Sequence, residues 1–401
     1  MSKLQELINK LCPNGVEFKK LKELAEIGTG SSDKKDANTN GKYPFFVRSK
    51  NIEKHNAFEF DEEAIIIPGE GGIGDIFHYI KGKYALHQRV YRIHFTCDSI
   101  NVKFAYYYLF AHFKSFIMKK AVSATVTSIR KPMIEDFFLP IPPIEVQEEI
   151  VRILDSFSDY AAELQAELQA RKQQYEYYRN LLLTFNPSAY GCGTDDEQKD
   201  GVTTWEGHNY KIQWKKLGEI GNICMCKRIL KHQTNTKSGI PFYKIGTFGK
   251  VADSYISEDL FMEYKKKYSF PQKGEILISA SGTIGRAVIY DGEDAYFQDS
   301  NIVWINNDES MVLNKYLYYF YQIVDWNVEG GTIKRLYNTN LSNTPIPLPP
   351  LELQEKIVAI LDRFETLVND LTNGLPAEIA AVKDQYEYYR NKLLTFKKLS
   401  A

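Results

Sequence analysis

Residues Leu139 to Phe157 read LPIPPIEVQEEIVRILDSF, and after a charged helical segment Tyr175 to Phe185 read YEYYRNLLLTF. The same text returns at Ile346 to Phe364 as IPLPPLELQEKIVAILDRF and at Tyr386 to Phe396 as YEYYRNKLLTF. The chain is therefore two copies of one unit. In each copy three prolines (140, 142 and 143; 347, 349 and 350) hold an extended segment, so helix begins only after the last of them. From Ile144 onward apolar residues recur three and four apart through Ile150, Val151, Leu154, Phe157, Leu164, Leu168, Tyr175, Tyr178 and Leu182, the period of a helix with one apolar stripe. Some forty residues at about 1.5 Å each make a rod of roughly 60 Å. Such a rod is a spacer or half of a coiled coil, and two near-identical spacers suggest that each is the other's partner. In the second copy Asn373, Gly374, Leu375 and Pro376 interrupt the stripe, where glycine suits a helix end and proline a first turn, so a break is predicted there. The first copy has AELQAELQAR at that place and is predicted to run straight.

Upstream of each helix lies a region of mixed character. Residues 1–15 predict a short amphipathic helix ending at Cys12-Pro13-Asn14-Gly15. Short β-branched runs at Ala64 to Ile67, Tyr84 to Leu86 and Val90 to Phe95 predict strands, and Phe104 to Met118 a helix. The region after Trp205 repeats the plan: FKKLKELAEIG (18–28) is answered by WKKLGEIGNI (214–223), Pro44-Phe45-Phe46 by Pro241-Phe242-Tyr243, and AIIIPGEGGIG (64–74) by EILISASGTIG (275–285). The Gln88 neighbourhood is answered by that of Gln298, KFAYYYLF (103–110) by KYLYYF (315–320), and Ala124-Thr125 by Gly331-Thr332. Between these landmarks the regions diverge, as two versions of one binding module would. The predicted organisation is α+β: a first domain over 1–143, a spacer helix over 144–185, an exposed polar linker over 186–204, a second domain over 205–350, and a second helix with its tail over 351–401.

Of the 401 residues 44% are hydrophobic and 13% aromatic, ample for packed cores. No apolar run approaches membrane length and no secretory signal is evident at the N-terminus. Five cysteines, with Cys224 and Cys226 one residue apart, support neither a disulfide framework nor a zinc knuckle. These features predict a reduced, cytoplasmic protein. The formal net charge of −1 speaks against nucleic acid only as an average. The spacer helices hold acids in excess, so the rest of the chain is net basic.

Catalytic patterns are wanting. Pro68 to Gly74 (PGEGGIG) lacks the Gly-Lys-Ser/Thr ending and helix-opening context of a phosphate cradle and reads as a tight turn after a strand. No Asn/Asp-Pro-Pro-aromatic turn of an adenine methyltransferase occurs, since the prolines sit in IPPI and LPPL. Glu263-Tyr264-Lys265, with Asp259 upstream, has the spacing of a metal-dependent nuclease but lies in a run that reads as a charged helix face. The seven histidines show no metal-ligand spacing, and no serine or cysteine stands in a nucleophile elbow. A binder without catalysis, and with no metal site, is the better reading; a nuclease acting alone and a scaffold that joins two proteins without DNA are the alternatives.

Basic residues in the loops of the two divergent regions remain: Lys34, Lys35, Arg48, Lys50, Arg130 and Lys131 in the first, then Lys227, Arg228, Lys231, Lys244, Arg286, Lys334 and Arg335 in the second. Lysine and arginine neutralise phosphates, arginine pairs two donors with guanine, and a glutamine such as Gln298 reads base edges. The pairs Arg130/Lys131 and Lys334/Arg335 both precede a proline arm, a recurrence that strengthens the expectation of DNA contact.

Over nearly its whole length, on the paired proline-helix segments and the two YEYYRNxLLTF closures, the chain resembles the specificity subunits of type I restriction-modification systems. That resemblance implies two target recognition domains, each reading one half of a split double-stranded DNA sequence, held apart by two antiparallel helices. It further implies that the helices dock two methyltransferase subunits and that motor and nuclease subunits join for restriction. S-adenosylmethionine would then be bound by the partners, this chain having no cofactor of its own. Tyr175, Tyr178 and Arg179 in the first closing motif, with Tyr386, Tyr389 and Arg390 in the second, are the expected docking residues. The interrupted second helix departs from a pair of straight rods.

Overall fold

A computed structural model describes residues 3–120, 128–185, 201–331 and 334–399. Ala124, Thr125, Thr332 and the expected linker over 186–200 lie outside the described residues. The chain divides into two compact units, one of residues 1–166 with 378–401 and one of 167–377.

In the first unit six strands form one sheet, in the order Ala25–Thr29, Val90–Phe95, Phe60–Pro68, His78–Leu86, Tyr43–Phe46, Ile52–His55. All neighbours are antiparallel except the pair that sets Phe45 beside Ala85 and Phe46 beside Leu86. The central run Ala64 to Ile67 is fully buried, and its alternation divides the core. Ile65 and Ile67 face the helix Val102–Lys120 with Leu109 and Phe113, while Ala64 and Ile66 face Phe46 and Tyr84. A third cluster joins Leu4, Phe104, Val146, Ile150 and Leu394. There Val16 bridges to Lys398, and Gly15 (φ +106) passes so close that a Cβ would lie 2.6 Å from the Lys397 carbonyl oxygen.

The second unit repeats the strand order of this sheet with one change in it. Strands Ile223–Cys224, Ile302–Ile305, Ile276–Ser279 and Ala287–Ile289 make one sheet, and Tyr255–Ile256, Ile240–Tyr243 and Tyr296–Phe297 a second. The order matches the first unit strand for strand, except that the counterpart of His78–Leu86 is cut in two. The cut falls at Asp291-Gly292-Glu293-Asp294, where Gly292 takes φ +92 and the charged turn leaves the ladder. Gly201 to Thr204, read from sequence as the end of the linker, are instead paired in the strand Gly201–Trp205. The β-branched Val202, Thr203 and Thr204 suit a strand, and Glu206 and Gly207, both at positive φ, close a two-residue hairpin onto His208–Lys216.

Each proline arm forms a short strand. Phe138–Ile141 pairs with Glu17–Lys20, setting Phe18 opposite Pro140, and Pro345–Leu348 pairs with His208–Lys216, setting Trp214 opposite Pro347. Helix starts just past the arms, as Ile144–Thr184 and Leu351–Asn369. A fully buried glutamine fixes each arm to its domain. Gln147 accepts from the Asn101 amide (2.8 Å) and donates to Ser99 O (2.8 Å) and Pro142 O (2.7 Å); Gln354 accepts from the Leu313 amide (2.9 Å) and donates to Met311 O (2.9 Å) and Pro349 O (2.8 Å). About two turns further on, Asp155 binds Lys103 and the Tyr107 hydroxyl, and Asp362 binds Lys315 and the Tyr319 hydroxyl.

The first helix is unbroken over 41 residues, and the second is interrupted between Asn369 and Leu375. The Asp370 carboxylate accepts from the amides of Thr372 and Asn373, and a Cβ at Gly374 would lie 2.4 Å from Thr366 O. Within the first unit the Tyr160 hydroxyl donates to Glu378 (2.6 Å) and Phe157 meets Tyr389, so the helices run antiparallel there.

Candidate nucleic-acid interface

In the first unit the parallel strands Tyr43–Phe46 and His78–Leu86 end together, and the His87 amide donates to Phe46 O (3.0 Å). The central strand ends beside them: the Gly69 amide donates to Arg89 O (3.0 Å), and Gly69 O accepts from the Ile129 amide (2.7 Å). Four loops from distant stretches thus meet. Lys34, Arg48, Glu70 and His87 line an open recess between them. Glu70 is held by both Arg48 (2.8 Å) and Arg89 (3.1 and 3.2 Å), and these hydrogen bonds, Arg48's first, keep its carboxyl below the usual range. His87 is buried, and burial followed by the Arg48 charge pushes its ring below the ordinary imidazole value. Lys34 and Lys35 are exposed in a single turn capped by Asp33; Lys50 and Arg130 are exposed, and Lys131 opens the short helix Lys131–Glu135 with Glu135 3.7 Å away.

The second unit builds the same junction. The Gln298 amide donates to Tyr243 O (2.9 Å), the Ala280 amide to Asn301 O (2.8 Å), and the Leu336 amide to Ala280 O (2.9 Å). Around it Arg228 pairs with Asp299 (2.9 Å), Lys244 with Asp253 (2.8 Å), and Arg286 donates to Phe248 O (2.8 Å). The Arg335 guanidinium donates to Ser300 O (2.6 Å), Gln298 accepts from the Ile245 amide (2.9 Å), and Ser281 donates to Asn301 (2.8 Å). Lys227 lies over the Tyr268 ring, Lys231 opens a single turn at Lys231–Gln233, and Lys334 is exposed. The sequence-derived cations Arg48, Lys34, Arg228, Lys244, Arg286 and Arg335 therefore stand on or beside the loop junctions, although several are already engaged by a neighbouring acid or carbonyl.

These matching hydrogen bonds fix equivalences that refine the sequence alignment. His87, not Gln88, stands where Gln298 stands, and Arg89 stands where Asn301 does. Ser300, at φ +52, is the extra residue of the second unit. Ile129 matches Leu336, both buried, so Arg130 and Lys131 follow the anchor whereas Lys334 and Arg335 precede it. The two basic pairs share a distance from the prolines only loosely and are not counterparts. The cations expected from sequence do not include Arg89, and basic character gives no sign of Glu70, Ser281 or Asn301, which the loops hold at matching positions.

The expected docking residues sit partly inside the fold. Tyr178 stacks on Phe364 (5.6 Å, 25°), Tyr175 is buried beside it, and Arg179 covers the Tyr175 ring and donates to Gln322 (2.9 Å). In the other unit Tyr389 stacks on Phe157, Tyr386 is half-buried, and Arg390 lies over Phe110 and Tyr386. The outer side of each motif is instead Tyr177, 63% exposed, and Tyr388, 59% exposed. The tyrosine pattern alone does not tell which ring meets the chain's own stripe.

Glu263 and Lys265 do not converge: Glu263 pairs with Lys267 (2.8 Å) and Lys265 with Asp294 (3.1 Å), on the helix Glu258–Lys267. Among the described residues no cluster of three His, Cys, Asp or Glu side chains is placed to hold a metal, and no helix is long and apolar enough to cross a membrane.

The family described as "Type I restriction modification DNA specificity domain" matches twice, at residues 13–171 and 210–381. A putative type I restriction enzyme specificity subunit of Haemophilus influenzae is 44% identical over 397 residues, covering 95% of this chain and 96% of that protein. The EcoR124I/EcoR124II specificity subunit of Escherichia coli is 30% identical over 280 residues, 65% of this chain and 61% of that one. In fold, the chain is similar to the type I restriction-modification S subunit from M. genitalium (TM-score 0.54, 14% identity, 96% of this chain and 97% of that one). It is also similar to a chain from a study of complex assembly and conformational transition in the type I system (TM-score 0.56, 17% identity, 96% and 98%). With both halves matched and a relative aligned almost end to end, the chain belongs to the type I restriction-modification specificity subunits and serves as the DNA-specificity component of such a system.

Proposed function

We propose that each unit's loop junction reads one half of an asymmetric, bipartite target in double-stranded DNA, and that the helices dock two methyltransferase subunits. Those partners would carry the methylation of adenine from S-adenosylmethionine, motor and nuclease subunits would join them for restriction, and this chain would take no catalytic step of its own in the cytoplasm. The observation that carries the reading is the pair of equivalent junctions: the same backbone hydrogen bonds hold Arg48, Glu70, His87 and Arg89 in one unit and Ile245, Ser281, Gln298 and Asn301 in the other. One frame with different side chains favours two different half-sequences. Surrounding lysines and arginines supply phosphate contacts, which make binding steeply salt-dependent. Two matched aromatic motifs suit two copies of one partner, and Tyr177 and Tyr388 are the rings best exposed to meet it. Co-expression with a methyltransferase partner followed by mapping of methylated adenines tests this. One split, asymmetric motif is expected, and methylation at unsplit or unrelated sites would reject it.

A further inference from the structure

At the centre of each loop junction, one residue from the turn after the central strand is hydrogen-bonded to one from the turn that enters the next strand. In the first unit these are Glu70 and Arg89, in the second Ser281 and Asn301, and the backbone bonds Gly69 N to Arg89 O and Ala280 N to Asn301 O show that the two pairs occupy the same place. The first pair is ionic and joined by Arg48. The second is neutral, with Ile245 standing where Arg48 stands. An exposed, solvent-screened ion pair adds little stability, so packing alone does not account for an acid among cations on this face. A phosphate would be repelled by it.

The unused hydrogen-bonding capacity of each pair is informative. A carboxylate has about four lone-pair sites and a guanidinium five donors. Glu70 accepts one bond on Oε1 and two on Oε2, all from a single nitrogen of each arginine, which leaves one acceptor site beside several donors. In the major groove a G·C pair presents O6 and N7 acceptors beside the cytosine N4 donor. Asn301 receives the Ser281 hydroxyl on Oδ1, keeping one acceptor site and both amide hydrogens, the complement of adenine N7 and N6.

We infer that these equivalent pairs are the base-reading residues of the two units: Glu70 with its arginines recognises a G·C pair, and Asn301, set by Ser281, recognises an A·T pair. This rests on the half-site reading above. The test is the full chain assembled with its methyltransferase partner, assayed by adenine-methylation mapping and by competition between duplexes that differ at one base pair. Glu70→Gln is expected to relax one G·C position in one half of the motif, with discrimination there falling about 5- to 150-fold, the equivalent of roughly 1–3 kcal/mol, while the other half stays unchanged. Asn301→Asp is expected to do the same at one A·T position of the other half. An unaltered motif in an active variant complex would overturn the inference. So would failure of the Glu70→Gln and Asn301→Asp chains to assemble, which would assign the pairs to structure. A wild-type complex that methylates no split motif would instead remove the half-site reading, an outcome separate from any effect of the variants.

Discussion

Phe157 lies stacked on Tyr389, ring centroids 5.5 Å apart at 25°, and this joins the start of the first helix to the closing motif of the second. The same contact recurs between Phe364 and Tyr178, so each LDxF segment is covered by the YEYYR segment of the other copy. An aromatic pair contributes about 0.5–1.5 kcal/mol beyond area burial. A double-mutant cycle of Phe157→Ala and Tyr389→Ala, read by chemical unfolding, should return a coupling of that size. Additive losses would show that the rings are neighbours without interacting.

The outward rings should behave in the opposite way. Tyr177→Ala with Tyr388→Ala is expected to leave the stability of the chain within about 0.5 kcal/mol, as for most surface substitutions, yet lower the yield of complex with the methyltransferase partner in size-exclusion chromatography. Tyr175→Ala, at a buried ring, should lower the unfolding temperature first. Equal assembly by the Tyr177/Tyr388 variant would move the docking face elsewhere.

Gln147 and Gln354 each satisfy one amide and two carbonyls from a fully buried position. Replacing Gln147 by leucine strands those groups, at about 1–3 kcal/mol for each buried group left unpaired. A loss of about 3 kcal/mol is expected in urea unfolding of the chain, and a loss below about 1 kcal/mol would mean that water replaces the amide.

Glu149 is buried and bonded to Arg152 (2.7 and 2.9 Å) and Lys3 (3.0 Å), which hold its carboxyl down at about 2, Arg152 being the main cause. Because the folded value lies below the unfolded one, the stability it contributes is full above about 4.5 and is lost as pH falls toward about 2. Glu149→Gln should therefore unfold at a lower temperature than wild type near neutral pH, with the gap narrowing by about pH 3. A gap independent of pH would show that the carboxylate's charge is not what stabilises the fold.

Much of this architecture is legible in the residues. Prolines forbid helix before Ile144 and Leu351, the three-and-four spacing continues it, and Gly374 with Pro376 marks the break before the next helix begins at Leu375, since each acts through its own backbone. Partners distant in sequence are less legible. A stripe of tyrosines has the same period whether it packs on its own chain or another, so the spacing of Tyr175 and Tyr178 does not foretell that Phe364 lies beside them. The one-residue offset at Gln298 arises from Ser300, an insertion that only the strand register exposes. Nothing in the residues around Glu70 marks it as part of a binding face, because its place is set by loops closing onto Arg48 and Arg89 from separate strands.

Leu394 is 1% exposed in a cluster with Leu4, Phe104 and Val146, and Val16 is bridged to Lys398. The segment around Leu4 and Val16 thus waits for the segment around Leu394 and Lys398. On the ribosome the first unit therefore stays unfinished, its apolar seam uncovered, while residues 167–377 of the second unit are being added, and it closes only once that intervening unit has been made.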